Sequence, residues 1–135
     1  MIGGVNHIGI AVRDLERSME LFKKVLCVES FHRETVVEQK VDIASFKAGD
    51  VLIELTAPTD DESPIAKFIE KRGEGIHHIA FTTEGIDNEL QRLAQSGIQL
   101  INTTAQQGAH DMMIAFLHPK STNGVLIELC ESQRQ

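Results

Sequence analysis

Alternation of apolar and polar positions organises this chain into two similar halves. In residues 6–12, one parity carries Ile8, Ile10 and Val12 and the other carries His7, Gly9 and Ala11. A period of two is that of a strand with unlike faces, so a strand is predicted over 4–12 with His7 turned away from the aliphatic side. A helix follows from about Asp14, a good N-cap. Leu15, Met19, Phe22 and Leu26 form one stripe along it. Extended segments are expected near 28–38, 41–49 and 51–56, with Gly49-Asp50 as a hairpin turn between the last two.

Residues 57–75 read as a connector between halves. Asp60, Asp61 and Glu62 form a polar run. Ser63-Pro64 suits an N-cap and first helical position. Ile65, Phe68 and Ile69 supply a short apolar face before Gly73. One or two helical turns are expected here. The pattern then repeats: a strand over 76–83, and a helix over about 86–96 with Ile86, Leu90 and Leu93 on one face. Gly97 fits its C-terminal stop. Extended segments near 98–104, 111–118 and 123–130 follow. Each half is thus βαβββ, and the last five or so residues look frayed. The expected fold is α+β: two repeated βαβββ modules forming a curved mixed sheet in one domain. Module one spans about 4–56, the connector 57–75, and module two 76–130.

The repeat extends to chemistry. His7 and Glu54 are 47 residues apart in the first half, and His78 and Glu128 are 50 apart in the second. His78 shares its parity with Ala80 and Thr82, against Ile79 and Phe81. Glu54 opposes Ile53 and Leu55, and Glu128 opposes Ile127 and Leu129. Each half therefore turns one histidine and one glutamate away from its aliphatic side chains, and a curved sheet would bring all four to a concave site. Imidazole and carboxylate together suit a divalent ion such as Zn, Co, Ni, Mn or Fe. Such an ion would act as a Lewis acid toward a substrate that chelates through two oxygens, and would stabilise an enolate. Taken singly, a histidine in a strand is usually a hydrogen-bonded or half-exposed residue; four matched positions on matched faces outweigh that. His77 has the opposite parity and reads as structural. His32 and His110 fall in loop or edge positions, and His118 precedes Pro119-Lys120 at a strand end.

Composition narrows the function classes. A net charge of −7 and the lack of Trp and Tyr argue against nucleic acid and anionic membranes as partners. Cys27, ending a helix, and Cys130, following a strand, have no CxxC spacing and read as buried or idle thiols in a reducing cytoplasm. No basic stretch followed by an apolar run marks a secretory leader, and no segment approaches the roughly 20 apolar residues of a membrane span. No phosphate-binding glycine loop, GxSxG or HExxH is present.

Specific stretches add a resemblance that covers essentially the whole chain. They are His7-Ile8-Gly9-Ile10-Ala11-Val12-Arg13-Asp14-Leu15, Glu62-Ser63-Pro64-Ile65-Ala66-Lys67-Phe68, Gly75-Ile76-His77-His78-Ile79, Gly108-Ala109-His110, Phe116-Leu117-His118-Pro119-Lys120 and Gly124-Val125-Leu126-Ile127-Glu128-Leu129. The two halves resemble the vicinal oxygen chelate superfamily, and these stretches in this order resemble its methylmalonyl-CoA epimerases. The resemblance implies metal ligands at His7, Glu54, His78 and Glu128, where the family has Gln or Glu at the position of Glu54. It implies catalytic glutamates at Glu38 and Glu128, which would exchange the C2 proton of an acyl-CoA through a metal-stabilised enolate. It also implies one divalent ion per site, a homodimer and an acyl-CoA substrate. The family usually has Gly where Lys40 stands, two residues after Glu38. Lys40, Lys47, Lys67 and Lys120 are the cations open to CoA, with none assigned.

Three rivals share parts of this pattern. A glyoxalase-I-like isomerase would use the same four ligands on a thiol adduct. An extradiol dioxygenase would use iron with two His and one Glu, but the chain is short and lacks Tyr. A nonenzymatic metabolite-binding relative need not keep all four ligand positions.

Overall fold

The structure, a computed structural model, describes residues 2–133. Its strands and α-helices run β1 (Ile2–Ala11), α1 (Leu15–Leu26), β2 (His32–Val36), β3 (Val41–Ala48), β4 (Val51–Pro58), α2 (Pro64–Arg72), β5 (Gly75–Thr83), α3 (Ile86–Gln95), β6 (Gln106–Gln107), β7 (Met112–Leu117) and β8 (Ile127–Ser132). The order on either side of α2 is β-α-β-β-β, the expected α+β repeat. The compact units are not the sequential halves. One comprises Ile8–His77; the other joins the N-terminal stretch through His7 to the chain from His78 onward. The boundary divides β1 just after His7.

In the unit Ile8–His77, β3 is antiparallel to both β2 and β4, and Gly49-Asp50 makes the expected turn between Ala48 and Val51. Gly49 sits at φ 66, a conformation that costs a residue without Cβ little. Asp14 caps α1 by accepting from the Arg17 N–H at 3.0 Å. Leu15, Met19 and Phe22 pack with Val12, Ala44, Leu55 and Ala57, so the aliphatic parity does face a helix. Leu26, expected on that stripe, is exposed at 55%. The helix ends at Cys27 in a left-handed conformation (φ 56), and of its residues Leu15 is the buried one. α2 starts as expected: Ser63 accepts from the Ile65 N–H at 3.2 Å, with Pro64 in the first turn. At nine residues it is longer than one or two turns, and Gly73 ends it.

In the other unit, β5 and β8 are parallel, β7 is antiparallel to β8, and β6 pairs with β7. α3 has no local cap; Glu131 from β8 accepts from the Gly85 and Ile86 N–H groups instead, a carboxylate set where the helix dipole favours it. Ile86 and Leu90 pack with Ala115, Leu117 and Leu129. Residues 98–104, expected to be extended, form no regular strand. Asn102 Oδ1 accepts from the Phe116 N–H at 2.8 Å, so a side chain takes a position that a ladder would give to backbone. The strand here is only Gln106–Gln107. β8 begins at Ile127 rather than near 123, because Asn123 and Gly124 both take positive φ in a turn. Cys130 lies within β8, not after it. That strand keeps Glu131 and Ser132 ordered in register with Met113 and Met112, against the expectation of fraying; 134–135 lie outside the described residues. No described helix is long and apolar enough to cross a membrane.

Candidate metal centre

β1, β5 and β8 each bring one polar side chain to the same place. His7, His78 and Glu128 are all buried, at 6%, 7% and 3% exposure. Their parity is the one expected. Ala80 pairs with Glu128 across the parallel strands, and Phe116 opposes Glu128 across the antiparallel pair. Phe116, Ala80, Ile114 and Cys130 thus line the face that carries the ligand-type residues, while Phe81, Ile127 and Leu129 pack toward α3.

The donor atoms converge. His7 Nε2 lies 3.1 Å from His78 Nε2 and 3.4 Å from Glu128 Oε2, and His78 Nε2 lies 3.3 Å from Glu128 Oε1. Donors held at about 2.0–2.2 Å from one divalent ion stand roughly 2.8–3.6 Å from each other. The three separations fall inside that range, and two neutral imidazoles with one carboxylate suit a borderline divalent ion. This donor set fits a metal. Asn6 Oδ1 stands 2.7 Å from His7 Nδ1, and the Phe116 ring meets the His78 ring edge-on at 5.6 Å and 86°.

Cys130 is a neighbour that sequence reasoning set aside. With His7 and Glu128 it forms a group whose donor atoms lie within 4.8 Å of one another, and its Sγ donates to the Phe81 carbonyl at 3.5 Å. Its signal was present: two residues past Glu128 on a strand is the same face. Phe116 was missed because it reaches His78 from another strand; the signal for Asn6, its place next to His7, was present.

The remaining expected site residues lie in the unit Ile8–His77. Glu54 is on β4, 3% exposed, paired in register with buried Ser45 and followed on its face by buried Thr56. Glu38 is exposed and does not sit on a strand: 28–38 was read as extended, but β2 ends at Val36 and Glu38 rides a 3₁₀ turn over Val37–Gln39. Lys40 closes that turn at φ 55, its N–H donating to the Val37 carbonyl at 3.1 Å. The left-handed conformation that glycine favours is therefore adopted here by a lysine.

The other histidines lie outside that convergence of donors. His77 stacks edge-on with Phe68 of α2 at 4.9 Å, and burial pushes its imidazole down to about 4. His32 lies 3.5 Å from Glu34 on β2. His118 Nδ1 accepts from the Lys120 N–H at 3.1 Å, capping a short 3₁₀ turn. His110 sits at φ 55 in the turn between β6 and β7.

This strand–helix repeat matches, over residues 6–116, the family model described as the Glyoxalase/Bleomycin resistance protein/Dioxygenase superfamily. The chain belongs to that superfamily. An uncharacterized protein of Bacillus subtilis is 46% identical over 94% of this chain and 91% of its own. An ethylmalonyl-CoA/methylmalonyl-CoA epimerase of Cereibacter sphaeroides is 37% identical over 96% of this chain and 98% of its own. Among solved structures, a methylmalonyl-CoA epimerase in complex with methylmalonyl-CoA and NH4+ is 34% identical. It matches 99% of this chain and 97% of that one with a TM-score of 0.93.

Proposed function

We propose that this chain is an isomerase that epimerises a short branched malonyl-CoA thioester, with methylmalonyl-CoA the first substrate to test, in a metal-dependent reaction. The observation that carries the metal is the convergence of the His7, His78 and Glu128 donors at 3.1–3.4 Å. The substrate class rests on the likeness to the two named epimerases along nearly the whole chain. Glu54 joins the ligand set on sequence grounds, as the counterpart of Glu128 in the repeat. A divalent ion held by these residues would act as a Lewis acid, drawing charge from the substrate's thioester and carboxylate oxygens as the C2 proton leaves.

The chain's own residues then have separate tasks. A glutamate takes the C2 proton, the electron pair of the C–H bond spreads onto the thioester carbonyl, and an acid on the opposite face returns a proton to C2. The resemblance assigns these roles to Glu38 and Glu128. Glu38 is exposed and open to a substrate arriving from solvent. Glu128, buried on β8, is held in place by its strand neighbours and needs a looser hold on the ion to serve as a base. The reading also includes a homodimer in the cytoplasm, for which light scattering on the purified protein is the direct check of assembly.

Proton NMR in deuterated water with methylmalonyl-CoA, with and without chelator, tests the proposal. The expected result is loss of the C2 proton signal only when metal is present. Turnover of methylglyoxal–thiol adducts without C2 exchange would favour the glyoxalase-like rival. Glu38→Gln should slow exchange about 10²–10⁴-fold, the usual worth of a general base, with metal content unchanged.

A further inference from the structure

We infer that Asn6 is a positioning residue that sets the tautomer of His7 so that its Nε2 lone pair faces the His78 and Glu128 donors; the inference rests on the metal reading above. Asn6 Oδ1 lies 2.7 Å from His7 Nδ1. An amide oxygen can only accept, so Nδ1 carries the proton and donates it. A neutral imidazole protonated at Nδ1 has its lone pair at Nε2. Nε2 is the atom 3.1 Å from His78 Nε2 and 3.4 Å from Glu128 Oε2. The bond behind the ring therefore decides which nitrogen faces the other donors. Such bonds from the outer nitrogen of a ligating histidine orient the ring and raise its basicity.

The repeat sharpens the point. The position matching Asn6 in the second half is His77, which is turned to Phe68. His78 is instead flanked by the edge-on ring of Phe116. One ligand histidine is thus set by an amide and the other is packed by an aromatic side chain. Asn6 can do this because it immediately precedes His7 on β1 and is half-buried beside it.

Nitrogen-15 NMR of the metal-free protein reads the tautomer directly. His7 should show a protonated Nδ1 and a bare Nε2; a proton on Nε2 overturns the inference. Titration with Co(II) then compares three proteins. Asn6→Asp, which can only accept, should bind as tightly as the unaltered protein and keep the NMR pattern. Asn6→Leu should bind about 10- to 100-fold more weakly, the usual loss on removing such a partner, and should lose the single-tautomer pattern. Equal Co(II) affinity in Asn6→Leu overturns the inference, as does weakened binding in a folded Asn6→Asp, because that would mean the amide donates. An unaltered protein that binds no Co(II) overturns the metal reading instead, and the NMR pattern still decides whether Asn6 holds the ring.

Discussion

The two units carry the same β-α-β-β-β elements but use them differently. In Ile8–His77, β3 and β4 are long and pair along their whole length, and the polar residues of their non-helical face, Ser45, Glu54 and Thr56, are buried among them. In the other unit, β6 shrinks to two residues, and loops carry what the first half builds from strand. That second unit also holds three of the four expected ligands, because β1 is divided just after His7 and the histidine belongs with His78 and Glu128. Residues that match by repeat are therefore not equivalent by surroundings.

The largest expected contrast is between the two glutamates of the repeat. Glu128→Gln should reduce C2 exchange about 10²–10⁴-fold, since it removes the carboxylate that carries the proton. Glu54→Gln should lose less than about a tenth of that effect on the same scale, because glutamine keeps a coordinating oxygen and the family accepts it there. Equal losses in kcat would erase the distinction between the halves.

Helix burial supplies a second contrast, now in stability. Leu90 of α3 is 1% exposed and Leu26 of α1 is 55% exposed, although both fall on an apolar stripe in the sequence. Leu90→Ala should cost about 2–5 kcal/mol, and Leu26→Ala about 0.5 kcal/mol or less. Urea unfolding of the two variants reads the difference directly; a large loss from Leu26→Ala would reveal a partner covering that end of α1.

His77 of β5 should make stability depend on pH. His77 has a folded value of about 4, below the ordinary 6.5, because burial penalises its charge. The folded state then binds fewer protons than the unfolded chain. His77's contribution is complete above about 6.5 and is lost as pH falls toward about 4, a change on the order of 3 kcal/mol. His77→Phe should flatten the stability profile between pH 6.5 and 4 relative to the parent, both measured metal-free. An unchanged slope would mean that His77 is solvated.

The smallest effect is at the turn that carries Glu38. Lys40 holds φ 55, costing a non-glycine residue about 1–2 kcal/mol. Glycine relieves that strain but loses more freedom on folding, about 0.5–1 kcal/mol. Lys40→Gly should therefore stabilise the protein by about 1 kcal/mol or less, visible as a small rise in Tm, and leave exchange kinetics close to those of the parent.

Much of this was legible from the chain. Alternation placed His7, His78, Glu54 and Glu128 opposite the aliphatic parity, and the buried clusters on the helical side agree. Caps at Asp14 and Ser63-Pro64 and the turn at Gly49-Asp50 were readable because they are local: the residue's own backbone and side chain settle them. The misreadings share a different cause. The 98–104 segment has strand-like composition, but Asn102 intercepts a backbone N–H from β7. Glu38 was placed on a strand that a lysine in a left-handed turn brings to an end. α3 lacks a local cap because Glu131, 45 residues away from Ile86, supplies it.

Periodicity, spacing and cap chemistry by themselves determined the element order, the face of each ligand-type residue and the donor types on offer, since these depend on backbone geometry repeated every two or 3.6 residues. Only the tertiary structure decided that His7 joins His78 and Glu128 and that Phe116 stands beside the His78 ring. Those are through-space relations, set by which strands pair and in what register, and no local period encodes them.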